Sequence, residues 1–429
     1  MRILPKSEFA RHITMLSAGS LASQVILFVI TPITTRFYTP ADYGVLGIFT
    51  AILNVILLAS SGRYELAITI PEKDGDAINL FSLSVILNTF TAVIVGLVVW
   101  LWGKQVLSLV NGSALAPYAW MLPVSIFGGG IYQSLTYWAV RSKRFSDLTK
   151  TKLHQSIGGG VTTLGLGYLQ IRPLGLLVGQ FVSMSFGLTT LLRPLIKNHK
   201  KELKSSSIRE MGRLAVRYKK FALLSAPSAL LNNAASFLPI LLISSFYGTE
   251  KTGLFSLAMR IVGIPGILVG AAVMQVYMGE TAEIVRNDRS KLAGMFSNVT
   301  RKLVRISGLV ILFGCVSPYI FGFIFGHNWQ NAGLYAAFLS VSAAAQLVVS
   351  PISTVAILME RQDLQMIGDL TRSILVAIAL VVPHTLGWTA EATVATYALT
   401  MALTYAGFYL MYRWIVCNAS VGDMGGITS

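Results

Sequence analysis

The chain has 429 residues, of which 54% are hydrophobic and only 12% charged, against about 25% charged in a soluble domain. Its mean hydropathy of +0.66 points the same way, and apolar runs recur that could each cross a bilayer as one helix of roughly 20 residues. These figures exclude a soluble enzyme, a secreted disulfide scaffold and a disordered tail protein. Runs such as VSIFGGGIYQSLTYWAV are continuously apolar, whereas barrel strands alternate over about ten residues, so a membrane β-barrel is excluded too. The fold class is all-α: in lipid the backbone must satisfy itself, and such runs become helices.

In chain order, apolar windows place twelve spans at 12–35, 44–70, 78–101, 115–139, 150–170, 174–196, 222–247, 253–280, 303–326, 332–358, 364–386 and 390–412. The first is too long for a signal-peptide core and no small-residue cleavage site follows it, so it reads as retained. An even number puts both termini on one side. With the amino terminus inside, the inner loops and ends hold 27 of the 34 basic residues. The outer loops hold Arg36, Lys104, Arg172 and Lys251, and Arg63, Arg260 and Arg372 fall within spans. Positive residues stay cytoplasmic, so both termini are read as cytoplasmic. Trp100, Trp102, Trp329, Trp388 and Trp414 sit at span ends, where amphipathic rings favour the interface. Cys315 lies inside a span and Cys417 follows the last one, so neither a disulfide nor a metal site is expected.

The net charge of +16 invites a nucleic-acid reading, but half of it lies in one place. Residues 193–220 carry ten Lys and Arg against Glu202 and Glu210. Ile208, Met211, Leu214 or Ala215, and Tyr218 recur at helical spacing. The segment therefore reads as a basic amphipathic helix on the anionic inner leaflet, with membrane lipids rather than nucleic acid as its partner. This divides the chain into a first lobe (1–196), a basic cytoplasmic linker (197–221) and a second lobe with a short tail (222–429).

Six spans precede the linker and six follow it. At an offset of 209 residues, RFYTPADYGVLGIF (36–49) lies over SFYGTEKTGLFSLA (245–258), matching Phe37–Tyr38 to Phe246–Tyr247 and Gly44 to Gly253. Six spans return the chain to the same side, so the repeat is parallel, an arrangement that suits alternating access with substrate between the halves. Pro32 in span one and Pro239 in span seven are candidate hinges, each removing a backbone hydrogen bond. The GxxxG pairs Gly175/Gly179, Gly266/Gly270 and Gly322/Gly326 read as close helix packing.

Ionisable groups inside spans are costly and usually face a cavity or a partner. Arg63 stands within SSGRYELAI, toward the inner end of span two, and Arg260 about two turns into span eight. Neither has an acid three or four residues away to neutralise it along the helix. Glu65 is two residues beyond Arg63, on a different helix face. Unpaired guanidinium groups suit a ligand with phosphate oxygens, for which Arg is the bidentate donor. Arg372 has Asp369 three residues before it. Either the two pair, or Asp369 joins Gln365, Asn232 or Asn233, and Thr396 or Thr400 in a site for a hard cation such as Na⁺. The candidate substrate contacts are thus Arg63, Arg260, Arg372 and Glu65. The inner clusters Arg141, Lys143, Arg144, Lys150, Lys152 and Arg301, Lys302, Arg305 obey the positive-inside rule, with an alternative role in gathering an anionic headgroup. No P-loop, HExxH or GxSxG occurs, so neither enzyme activity nor a metal or cofactor is expected.

The opening SAGSLASQVILFVITPITTRFYTPADYGVLGIF and the following SSGRYELAITIPEKDGDA resemble Wzx-type polysaccharide flippases of the multidrug/oligosaccharidyl-lipid/polysaccharide exporter superfamily. The resemblance is strong over residues 10–80 and lies in span count and lobe layout thereafter. It implies two pseudo-symmetric six-helix lobes around a central cavity, in the bacterial cytoplasmic (inner) membrane. The implied activity is moving an undecaprenyl-diphosphate-linked oligosaccharide repeat unit from the inner to the outer leaflet, for O-antigen or another surface polysaccharide. In the related lipid II flippases, arginines of spans one, two and eight line a cationic cavity. Arg63 and Arg260 match in span, while span one here offers only Arg36, at its outer end. Sodium sites there use spans seven, eleven and twelve. Asp369 lies in a matching span, but span seven has Asn232 and Asn233 where a carboxylate is expected, so Na⁺ and H⁺ both stay open as coupling ions. The family also implies contact with a polysaccharide polymerase. A two-lobed transporter closes its own cavity, so a monomer is expected. Two functions compete with this one. A cation-coupled multidrug exporter needs acidic cavity residues, and this chain offers arginines. An integral-membrane glycan polymerase or glycosyltransferase needs a substantial extramembrane region, and these loops are short.

Overall fold

The computed structural model describes residues 8–287, 289–359 and 361–421, and among them there is no strand. The chain divides into two compact units, Met1–Gly253 and Leu254–Ser429. The first unit opens with α1 (Glu8–Phe37), α2 (Pro40–Ala59), the single turn α3 (Tyr64–Ala67), α4 (Asp74–Ser108), α5 (Met121–Arg141) and α6 (Phe145–Tyr168). Then come α7 (Leu174–Ser185), α8 (Leu188–Asn198), α9 (Lys200–Lys204) and α10 (Ile208–Arg217), and α11 (Ala226–Pro265) runs on into the second unit. That unit continues with α12 (Ala271–Asn287), α13 (Leu292–Phe325), α14 (Gln330–Ile352), α15 (Thr354–Leu358), α16 (Gln362–Thr385) and α17 (Ala390–Val421).

Nine helical runs among the described residues are long and apolar enough to cross a membrane. One of them, Ser236–Val285, covers two expected spans, and two further expected spans form the more polar α5 and α6. The twelve-span reading is compatible with this set. Trp100, Tyr319 and Phe323 are exposed, on a surface whose apolar extent suits lipid and not water.

Local chemistry sets the helix ends. Thr39 and Asp42 form a reciprocal capping box with Pro40 at the first helical position of α2, which satisfies donors that the helix start leaves free. The other end of α2 corrects the sequence reading. Span two does not run to residue 70. Gly62 and Arg63 both take positive φ, 60° and 62°, which no right-handed helix accommodates, and α2 stops at Ala59. A second break falls inside α11, at Gly248 (φ 83°, ψ 176°). The bend in this segment therefore lies nine residues beyond Pro239, at a residue without the Cβ that disfavours such dihedrals.

Within the first unit α1 packs on α6, α6 on α7 and α4 on α5. One apolar cluster joins Ile48, Phe49 and Leu53 of α2 to Leu122 and Ile126 of α5 and Leu177 of α7. A second joins Tyr64, Ile68, Ile78, Leu135, Trp138 and Leu195 to Leu214 of α10. The linker helix thus gives its apolar side to protein. Met211 and Leu214 are buried, α10 lies against α4, and Arg213 pairs with Asp76 at 3.1 Å. Ile208 alone of the expected lipid stripe is well exposed. Helical periodicity shows that a face is apolar, and this face is covered by Leu80, Ile78 and their neighbours. In the second unit α13 packs on α14, and α14 and α16 on α17.

The GxxxG pairs also divide. A Cβ on Gly175 would overlap the Tyr38 hydroxyl and one on Gly179 the Thr163 side chain, so that pair does mark close packing. Gly266–Gly270 is instead a turn of π-helix, and a Cβ on Gly266 would meet nothing within 4 Å. Gly326 caps α13 with φ 105°.

Candidate functional site

The residues between α2 and α4 form the best-organised polar site in the first unit. Arg63 holds a left-handed conformation as the residue preceding α3, at a cost of about 1 kcal/mol for a side chain with a Cβ. The surrounding bonds hold it there. The Ser61 hydroxyl donates to a Glu65 carboxylate oxygen, and the Gln133 amide donates to the other at 3.2 Å. Glu65 is 0% exposed. The Tyr64 hydroxyl donates to the Ala215 carbonyl of α10 at 3.0 Å, and Thr91 of α4 donates to the Ser60 carbonyl at 2.9 Å. At the far end of the loop, Arg141 donates to the carbonyls of Ile68, Pro71 and Glu72 and pairs with Asp74 at 2.8 Å.

Beside this loop lies a cavity of about 460 Å³, lined in part by Asn54, Gln133, Thr136, Tyr137 and Asn233. Gln133 links it to the buried carboxylate, and the charges of Arg63 and Glu65 both act on the Tyr137 hydroxyl. Arg63 is half-buried, and its Nε has no hydrogen-bond partner among the described residues. Such an orphaned donor has unused capacity for an anionic oxygen. Arg63 and Glu65 thus act on each other electrostatically, with Ser61 and Gln133 as the carboxylate's hydrogen-bond partners. The sequence argument had set them on different helix faces, but there is no helix at Arg63 to separate them. Asn233 lines the cavity with its amide nitrogen donating to the Ala229 carbonyl at 2.8 Å. The Asn232 side chain lies outside the described residues. Gln133, Ser61 and Tyr137 escaped the sequence reading because uncharged polar residues are common in membrane helices and carry no signal by themselves.

The second unit has its own polar cluster. Asp369 and Arg372 pair at 3.1 Å, with both side chains largely buried, and the Tyr405 hydroxyl bonds to Arg372. Tyr397 and Tyr412 sit in the field of the same pair. Residues 397, 405 and 412 share one face of α17, a spacing that was readable in the sequence. Arg372 is therefore spent on Asp369 and tyrosine and does not stand free for a substrate. Of the cation-site candidates, Gln365 is half-buried on α16, and Thr396 already donates to the Ala392 carbonyl at 3.0 Å. The Thr400 carbonyl accepts from Thr404 at 2.8 Å. Arg260 is exposed on α11, with no ion pair among the described residues.

Comparison with known proteins follows the same lines. The chain is 25% identical over 197 residues to the teichuronic acid biosynthesis protein TuaB of Bacillus subtilis (strain 168), a match that covers 46% of this chain and 40% of that protein. Its fold is similar to the lipid II flippase MurJ in an inward closed conformation, with a TM-score of 0.70 and 14% identity over 96% of this chain and 91% of that one. It is similar also to an inward-facing multidrug resistance MATE family transporter of the MOP superfamily, with a TM-score of 0.59 and 15% identity over 94% and 98%. The model for the family described as polysaccharide biosynthesis protein matches residues 33–334, from the last turn of α1 to the first turn of α14, and the chain belongs to that family as a multi-pass helical membrane protein of transporter fold.

Proposed function

We propose that the chain flips an undecaprenyl-diphosphate-linked oligosaccharide repeat unit from the inner to the outer leaflet of the bacterial cytoplasmic membrane, for O-antigen or another surface polysaccharide. The observation that carries this reading is Arg63, a strained, half-buried guanidinium whose Nε has no hydrogen-bond partner among the described residues, in the loop whose Glu65 is bonded by the cavity-lining Gln133. Guanidinium is the side chain best matched to phosphate oxygens, and the family and a relative named for teichuronic acid biosynthesis supply the polysaccharide.

In this mechanism the diphosphate bonds to Arg63 while the prenyl tail stays in lipid, and Arg260 is a separate candidate contact. The contacts must weaken in the outward state, or release stalls. Glu65 is the competing acceptor, since its carboxylate already acts in the same field as Arg63. An ion drive, by Na⁺ or H⁺, would have to displace Arg372 from Asp369 before that carboxylate could take up the ion. The basic inner loops orient both termini to the cytoplasm, and the chain works as a monomer that hands its cargo to a polysaccharide polymerase. Export of cationic drugs, which the shared fold also allows, needs a free carboxylate, and Glu65 and Asp369 are both engaged.

The test is mass spectrometry of polyprenyl-linked glycans in cells lacking this gene, complemented with wild type or with Arg63→Ala/Arg260→Ala. Accumulation of one defined undecaprenyl-diphosphate oligosaccharide, cleared only by wild type, is the expected result. An unchanged lipid-linked pool together with new sensitivity to cationic dyes would replace this reading with the drug exporter.

A further inference from the structure

A second polar cavity, of about 220 Å³, lies inside the first unit between α1, α5, α6 and α7. Its lining includes Ser20, Ser23, Gln24, Tyr132, Lys152 and Gln155. It is made possible by small residues: a Cβ on Gly19 would overlap Thr149 and one on Gly159 would overlap Ser183, so α1 and α7 close tightly on α6. Lys152 was read from the sequence as one of a cytoplasmic cluster of positive charge. Here its ammonium is turned inward and donates to the Ser20 hydroxyl at 2.7 Å. Among the described residues no charged group forms an ion pair with it.

A lysine has three protons to donate, and one of Lys152's is accounted for. A partly buried cation without a counter-ion is costly inside a membrane protein. A second group points to a ligand. Ser23 is 7% exposed, lines the same cavity, and its hydroxyl has no hydrogen-bond partner among the described residues. Gln155, by contrast, is committed to the Met184 carbonyl at 3.1 Å and to Tyr132. The open capacity is therefore one positive charge and neutral hydroxyl and amide groups. That set suits a monoanion on a hydroxylated frame. A diphosphate carries more charge and is better met by forked guanidinium groups. At about 30 Å³ per water the space equals roughly seven waters, room for one sugar ring.

We propose that this cavity is a subsite for an acidic sugar of the cargo, its carboxylate paired with Lys152 and its hydroxyls bonded by Ser20, Ser23 and Gln24. The proposal rests on the flippase reading and names the chemistry of one cargo residue.

The test is ligand-observed NMR on the full chain in nanodiscs with sodium glucuronate, glucose and inorganic phosphate at constant ionic strength. Glucuronate should bind saturably. Lys152→Met, which keeps the packing of the side-chain stem, should weaken it about tenfold or more, as expected for losing a hydrogen bond to a charged group. Ser23→Ala should weaken it less, and Lys152→Met should leave the response to glucose unchanged. Lys152→Gln serves in the same way if Lys152→Met does not fold. Glucuronate binding no tighter than glucose, or unchanged in both Lys152 variants, overturns the proposal. Phosphate binding as tightly as glucuronate would reassign the cavity to a phosphate group and equally overturn it. The flippase reading fails separately, through an unchanged lipid-linked pool in the deletion strain, whichever way glucuronate binds.

Discussion

Gly44 and Gly253 lie against each other in one close helix crossing. A Cβ on Gly44 would overlap the carbonyl of Thr249, a Cβ on Gly253 would overlap the carbonyl of Pro40, and the backbone nitrogen of Gly44 lies 2.9 Å from that same Cβ position. The contact is reciprocal at the offset of 209 residues that the sequence repeat shows, which makes Pro40 the equivalent of Thr249 and Gly44 that of Gly253. A surface that meets its own equivalent in this way is what a two-fold relation generates. A chance resemblance between 36–49 and 245–258 would not put equivalent residues in exchanged contact.

The crossing leaves no room for a methyl group on either side. Gly44→Ala and Gly253→Ala should each destabilise the protein by about 1–3 kcal/mol, the usual cost of overpacking. Once the helices have parted for the first methyl, the second should cost less, so the double variant should lose less than the sum of the two. Thermal unfolding of the four purified proteins measures this. Strict additivity would mean that the two glycines do not share one contact.

Arg63 gives a test that separates stability from transport. Its φ of 62° is unfavourable for a side chain with a Cβ and neutral for glycine. Arg63→Gly should therefore leave the unfolding temperature unchanged or raise stability by about 0.5–1 kcal/mol, while clearance of the lipid-linked glycan is lost. A loss of both together would show that the guanidinium is part of the fold rather than of the cargo site.

Much of the architecture was legible in the sequence because apolar length acts through solvent, and solvent acts on every residue alike. What was misread depended on one residue's dihedrals or on one partner. SSGRYELAI continues the apolar run of span two, so Arg63 read as buried in a helix. The Ser-Ser-Gly before it was the signal for a break, and two consecutive positive φ angles then place Arg63 beside Glu65. The amphipathic period of α10 was visible, but a period does not reveal whether lipid or Leu80 covers the apolar side. Lys152 was hidden among lysines that obey the positive-inside rule. Nothing in its neighbours along the chain tells that it bonds Ser20, more than a hundred residues earlier.

The ion pair of the second unit should behave as a unit. With Asp369 held by Arg372 at 3.1 Å, Asp369→Asn leaves a buried guanidinium and Arg372→Met leaves a buried carboxylate. Each should cost about 3–5 kcal/mol, and the double variant less than either sum predicts. Exchange of Na⁺ for K⁺ should leave the unfolding temperature of wild type unchanged. In Arg372→Met the carboxylate is vacated, and Na⁺ should then stabilise the protein. A sodium effect already present in wild type would show that Asp369 binds the ion with Arg372 still in place.

Arg141 fastens the same loop from its other end. Its planar fork reaches three backbone carbonyls and the Asp74 carboxylate at once. A lysine keeps the charge but offers a compact ammonium that cannot span those directions. Arg141→Lys should lose about 1–3 kcal/mol through carbonyls left without their donor. It should also loosen the segment from Ile68 to Asp74 before it loosens α5. Hydrogen exchange resolves the order: faster exchange at residues 68–74 with unchanged protection in Met121–Arg141 is the expected pattern. Equal loosening of both would place Arg141 in the packing of α5 itself. If the loop frees Arg63 from its left-handed setting, transport should fall in Arg141→Lys even where the protein remains folded, and the same cells would then accumulate the lipid-linked glycan.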